Sequence, residues 1–195
     1  MPDDTSADAR KRRSPRADAL RNRQRVLSAA REAFAAEGPS VSLDDIARRA
    51  GVGAGTVHRH FPTKDELLKA VIVDRLEELT TAARGFADAA DPGQAFFAFL
   101  RQLTAESRHN LAVSTALTDP SDIGDVLEVG RGLQEAVAAL LSRAQAAGAV
   151  RPDIDADGLH AIIAGVLTTE QRLPPGSEGL GLTVVVDGLR AASGR

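Results

Sequence analysis

Apolar residues recur at helical spacing along most of this 195-residue chain. Leu20, Leu27, Ala30 and Phe34 share one face of a helix predicted over about residues 18–37, and Gly38-Pro39 stops it. Ser42 is a predicted N-cap with Asp45 as its capping-box partner, opening a short helix whose apolar face is Leu43, Ile46 and Ala47. Ala50-Gly51-Val52 forms a turn, with a positive φ expected at Gly51. Residues 54–60 make a third helix with Val57 turned inward. Phe61-Pro62 ends it, because the residue before a proline avoids helical geometry. Thr63 and Glu66 cap a fourth helix that reaches the mid-eighties on a stripe of Leu67, Leu68, Val71, Ile72, Leu76 and Leu79. Beyond a break at Asp91-Pro92-Gly93, helices are predicted over about residues 94–109, 111–118, 122–147, 156–171 and 178–192. Val184-Val185-Val186 has strand character, but a lone strand has no partner, so the run is assigned to the last helix. The predicted class is all-α. It comprises a polar, disordered arm (1–17), a three-helix head (18–64), a connecting helix (65–90) and a C-terminal helical bundle (91–195).

Composition narrows the picture. Alanine is abundant and β-branched residues rarely alternate with polar ones, which favours helix throughout. The absence of cysteine excludes disulfides and thiolate zinc sites. The opening residues are charged, unlike a signal peptide, and no apolar run reaches the ~18 residues of a membrane span. A soluble, cytoplasmic protein with no membrane partner is expected. The net charge of −3 hides an asymmetry: residues 1–64 carry 13 Lys/Arg and 8 Asp/Glu, the remainder 11 and 19. A basic head on an acidic body points the head alone toward a polyanion. Arg10-Lys11-Arg12-Arg13 and Arg16 form a basic arm suited to a DNA backbone or minor groove, or to keeping a tail in solution. The last two helices are apolar on more than one face. A second copy of the chain, paired by a two-fold axis into a four-helix interface, would bury them, as would ordinary core packing.

The chemistry concentrates in residues 42–64, which read as helix, turn and helix. Once Val57 is turned inward, Thr56, His58, Arg59 and His60 remain, more polar capacity than a core helix carries. An arginine, imidazoles and a hydroxyl on a short helix suit phosphate oxygens and base edges in a major groove. Other motifs are weaker. Asp153-x-Asp155-x-Asp157-Gly158 resembles the start of a calcium loop, but Ala164 stands where the bidentate glutamate belongs, so helix capping by Asp155 or Asp157 is the better reading. Gly51-x-Gly53-x-Gly55 lacks dinucleotide-fingerprint spacing and a preceding strand. His58 and His60 diverge by about 200° on a helix and make a poor metal pair. No nucleophile motif assembles serine, histidine and acid. The expectation is therefore no enzyme, no metal and no cofactor.

From about Arg23 to Leu79 the chain resembles the DNA-binding head of the tetracycline-repressor (TetR) family. The matching elements are Ala29-Ala30 to Phe34, Gly38, Ser42 to Ala47, Ala50-Gly51-Val52, Gly55-Thr56-Val57, His60-Phe61, Lys64 and Leu67-Leu68. The resemblance implies a homodimer with a helix-turn-helix head, helix 4 as connector and a body that dimerises and binds a small-molecule effector. It implies a ligand-responsive transcriptional regulator, a repressor released from a palindromic double-stranded DNA operator. An activator of the same fold and a small-molecule-binding helical enzyme are the alternatives. It assigns DNA contacts to Ser42, Gly53, Ala54, Gly55, Thr56, His58, Arg59, His60 and Lys64. At two of these positions the family usually differs, with tyrosine in place of His58 and serine in place of Gly53. For the effector site, the chain has no tryptophan or tyrosine, so stacking falls to phenylalanine. Phe96, Phe99, His109, Arg131 and His160 are the candidates. Arg131, Glu135, His160, Thr168 and Glu170 are polar groups on otherwise apolar helices, a pattern that usually faces solvent.

Overall fold

A computed structural model describes residues 15–105, 123–170, 172–174, 176–177 and 179–191. The basic run Arg10–Arg13, the helix expected at 111–118 and His109 lie outside the described residues. The described chain is all helical: α1 (Pro15–Glu37), a 3-10 turn (Gly38–Ser40), α2 (Leu43–Ala50), α3 (Ala54–His60), α4 (Lys64–Gly85), α5 (Pro92–Ala105), α6 (Ile123–Ala146), α7 (Ala156–Glu170) and α8 (Leu180–Leu189). The valine run lies in α8, as its isolation predicted. The one extended pairing among these residues is an antiparallel bridge between Val150 and Arg190, which sequence reading did not anticipate.

Local signals set the helix ends. Ser42 adopts extended backbone and its hydroxyl accepts from the Asp45 N–H at 3.1 Å, capping α2. Gly51 ends α2 at φ 62°, in the left-handed region that glycine enters at least cost. A Cβ there would lie 2.6 Å from Arg25 Nη2 and would push that guanidinium aside, so the positive φ is the main reason for glycine at this turn. Thr63 and Glu66 form a full capping box on α4: the Thr63 hydroxyl accepts from Glu66 N–H at 3.2 Å, and the Glu66 carboxylate accepts from Thr63 N–H at 3.1 Å. Asp155 receives the Gly158 N–H at 2.7 Å at the start of α7, which is the capping role expected of the aspartate run.

Two hydrophobic clusters organise the molecule. The first joins Val26, Leu27, Ala30 and Phe34 of α1 to Ile46 and Ala47 of α2, Val57 of α3 and Leu67, Leu68, Val71 and Ile72 of α4. The second joins Ala83 near the end of α4 to Phe96, Phe99 and Leu100 of α5, Leu140 and Leu141 of α6, Leu159 and Ile163 of α7 and Val186 and Leu189 of α8. Helix α4 contributes to both. Leu20, expected on the buried face of α1, is 68% exposed. The first buried position among the described side chains of that helix is Val26.

Glu170 also departs from expectation. It is buried at the end of α7, where its carboxylate accepts the N–H groups of Gly179 at 2.8 Å, Gly181 at 2.8 Å and Leu182 at 3.3 Å. These are donors at the start of α8, unsatisfied by the helix itself, and a buried carboxylate supplies the acceptor that they need. Glu170 thereby ties the end of α7 to the start of α8.

Removing the capping hydroxyl in Thr63→Ala is expected to lower stability by about 1 kcal/mol. Urea unfolding followed by circular dichroism measures it, and an unchanged midpoint would show that the cap contributes nothing.

Candidate functional site

The outer surface of the head is built by α2, its turn and α3. Val57 is fully buried and anchors α3 to the head core. The rest of that helix faces outward: Ala54, Gly55, His58, Arg59 and His60 are exposed, with Gly53 before them, and Thr56 is half-buried. Lys64 is half-buried at the first position of α4. The side chains singled out in the sequence are thus exposed or half-buried at the head's surface, apart from Val57.

Several have partners that sequence did not show. His58 Nε2 lies 3.0 Å from Asp44 Oδ1, so the imidazole and a carboxylate of α2 share this surface. Ser42 donates its hydroxyl to Asp45 Oδ2 at 2.8 Å while accepting the Asp45 N–H. Any further acceptor approaching Ser42 would compete with Asp45 for that proton. The same hydroxyl, followed by nearby Arg48, holds the Asp45 carboxyl below its ordinary value. Arg25 of α1 donates to the Gly51 carbonyl at 3.2 Å and braces the turn, and the Arg23 guanidinium lies 5.8 Å from the centroid of the Phe61 ring. A lone arginine on an exposed helix face gives no sequence signal for either contact.

Behind the head, Arg31 of α1 ties α1 to α4. Its guanidinium donates to Asp74 at 3.0 Å and to both carboxylate oxygens of Glu78, at 3.0 and 3.2 Å. Arg75 donates to the same Glu78 at 2.9 Å. Burial raises the Glu78 carboxyl, but the hydrogen bonds from Arg31 and Arg75 outweigh it and hold the group below its ordinary value.

Arg75 also borders an open cavity of about 640 Å³ between α4, α5, α6 and α7. Its walls are largely apolar, including Leu76 and Leu79 of α4, Leu103 of α5, Val137 of α6 and Leu167 of α7. Among the described residues, the polar groups at its surface are Arg75, Arg131, Gln134, Asp157 and His160. Of the expected effector residues, Arg131 and His160 line this space. Phe96 and Phe99 do not: both are fully buried in the second hydrophobic cluster, because their positions on α5 face α6 and α8 rather than the opening. Arg75 and Gln134 were missed. A basic residue at one turn of an amphipathic helix reads as solvated, and only the packing of α4 against α6 buries it.

The head is a helix-turn-helix unit: two short helices joined at a left-handed glycine, the second offering its polar face to the exterior. The chain matches the family model for bacterial regulatory proteins of the tetR family over residues 26–71. It also matches the model described as transcriptional regulator SbtR-like, C-terminal domain, over residues 91–191. It is similar to the TetR transcription regulatory protein of Mycobacterium vanbaalenii, with 40% identity over 90% of this chain and 99% of that one and a TM-score of 0.70. The TetR transcriptional regulator SCO0520 of Streptomyces coelicolor is 31% identical, with coverage of 88% and 99% and a TM-score of 0.73. The chain belongs to the TetR family of transcriptional regulators. Two HTH-type regulators of Pseudomonas putida match over the head: TtgW, itself uncharacterised, and SrpR, each 47% identical over 68 residues, or 34% of this chain. Those matches span 51% of TtgW and 32% of SrpR. Among the described residues no helix is long and apolar enough to cross a membrane.

The lowered Glu78 carboxyl has a consequence for acid stability. Because its folded value lies below the ordinary 4.5, its contribution is complete above that pH and is lost as pH falls through the folded value. Glu78→Gln is expected to lower stability at neutral pH and to flatten the decline in that acid window, read by urea unfolding at stepped pH. An unchanged pH slope would mean that the ion pairs contribute nothing.

Proposed function

We propose that the chain is a dimeric repressor, released from a palindromic operator when a small molecule enters the cavity between α4 and α6. The observation that carries DNA binding is the outward polar face of α3, held by a fully buried Val57. The proposed contacts to the duplex are Ser42, Gly53, Ala54, Gly55, Thr56, His58, Arg59, His60 and Lys64. Lys64 and the N–H groups at the start of α4 suit phosphate, and Arg59 suits a guanine edge or phosphate.

Dimerisation is supported by apolar side chains left exposed on the terminal helices, Ile162 at 38%, Leu180 at 54% and Val184 at 64%. Two-fold pairing through α7 and α8 would bury them and set two copies of α3 into successive major grooves about 34 Å apart. Ligand responsiveness is supported by the cavity, whose wall includes α4, the helix shared with the head core. A ligand that prefers the off-DNA arrangement by about 1–3 kcal/mol is sufficient for regulation. The protein would act in the cytoplasm, where the genome is accessible.

Selection of bound fragments from the source genome tests the reading: recovery of a near-palindromic site supports it, and retention of no duplex at modest ionic strength sinks it. On the recovered operator, Lys64→Ala should weaken binding to every sequence and reduce the salt slope by about one unit. Arg59→Ala should cost about 1–3 kcal/mol at one base position and relax the preference there. Equal losses on all sequences from both substitutions would confine Arg59 to the backbone.

A further inference from the structure

Rings are scarce in this chain. It has six phenylalanines and no tryptophan or tyrosine. All six phenylalanines lie among the described residues, and none lines the cavity between α4, α5, α6 and α7. Phe34, Phe61, Phe96, Phe97 and Phe99 are buried in the two cores, and Phe86 packs against the second. The wall is instead built of branched aliphatic side chains, among them Leu76 and Leu79 of α4, Leu133 and Val137 of α6 and Ile163 and Leu167 of α7. The one ring among the described lining residues is the His160 imidazole, whose Nε2 lies 3.5 Å from Gln134 Nε2.

That wall decides between kinds of hydrocarbon. A flat aromatic ligand gains over a saturated one of equal size from stacked or edge-to-face ring partners, and a cation gains from the ring faces beneath it. Leucine, isoleucine and valine offer neither gain. A saturated body, with C–H bonds on every side, makes its dispersion contacts with such walls without any ring partner. Adaptable sites that accept many shapes are commonly rich in flexible methionine, and this chain has a single one, Met1. Branched aliphatic side chains hold well-defined rotamers, so the space they enclose has a comparatively fixed shape.

Charge points the same way. Arg131 and Asp157 bring one charge of each sign to the described lining, while Arg75 is buried and donates to Glu78 at 2.9 Å. An ion of either sign meets one like and one opposite charge there, and loses its water without net compensation. A hydroxyl or carbonyl needs only a hydrogen-bond partner, and Gln134 and His160 are exposed at the cavity surface.

We propose that the cavity takes an uncharged ligand with a saturated, branched or alicyclic carbon body and one small polar end, and that aromatic ligands of the same framework gain nothing in it. This rests on reading the cavity as the effector site.

Titration calorimetry of the full chain, in the absence of DNA, tests it with probes sharing one carbon framework: menthol, thymol (whose ring is aromatic), menthylammonium and menthane-3-carboxylate. In a ring-lined site thymol would gain roughly two- to tenfold from ring pairing. Here it should bind no tighter than menthol. The two ions should each bind more weakly than menthol by about tenfold or more. Leu127 lines the cavity at a position 61% exposed, so Leu127→Phe adds a ring without disturbing a core. That variant should raise thymol affinity relative to menthol by about threefold. Failure of menthol to bind, thymol as the tighter ligand of the unaltered chain, an ion that matches menthol, or a thymol-to-menthol ratio untouched by Leu127→Phe would overturn the proposal. A preference for menthol in a chain that retains no duplex would sink the regulator reading alone, and an operator-binding chain that prefers thymol would sink this one alone.

Discussion

Helix α4 is buried against two different cores, and the rest of the molecule is arranged around that fact. Leu67, Leu68, Val71 and Ile72 complete the head, Ala83 enters the body, and Leu76 and Leu79 between them form a wall of the cavity. Twenty-two hydrogen-bonded residues make a rod about 33 Å long. Close-packed interiors do not deform smoothly, so a displacement of α4 at the cavity must be carried into the head or broken at considerable cost. Covalent continuity alone would not do this. A connector with solvent on all sides could swivel without disturbing α1 or α3.

Electrostatics divides the head into an inner and an outer set of charges. Arg31, Arg48 and Arg49 are paired with Asp74 and Glu78, Asp45, and Glu37 respectively. These arginines brace helices against each other or along their own turn, so part of the basic excess of the first 64 residues is neutralised where it stands. Arg59 and His60 sit on the outward face of α3, and His58 shares it with Asp44. The field offered to a polyanion is set by these outer groups more than by the total charge.

The terminal helices solve a separate problem. Among the described residues, Ile162, Leu180 and Val184 of these apolar helices remain exposed. Their mutual geometry is nevertheless held within the chain, by Glu170 gathering the first N–H groups of α8 and by the Val150–Arg190 bridge at its far end. In the proposed two-fold pairing, such a surface would serve only if its two halves kept a fixed angle, and these polar ties hold the chain there without occupying the apolar face.

Local physics made much of this legible from the chain alone. Helix limits followed from caps, glycine and proline: residues 54–60 emerged as predicted, Gly51 took its positive φ, and Thr63 with Glu66 closed their box. Each depends on neighbours within a few residues. Val57 inside and Arg59 outside also followed, because the period of a helix fixes which side chains share a face. Leu20, Glu170, Phe96 and Phe99 could not be placed that way, since burial depends on what another element brings to that face. The same holds for the cavity: Arg75 is an ordinary basic residue on an amphipathic stripe until α6 closes over α4, and Glu78 an ordinary surface acid until Arg31 arrives from 47 positions away. Sequence determined the elements and which residues share a face; which faces are covered, the meeting of distant charges and the shape of the space between helices were decided only by packing, because no short-range signal encodes them.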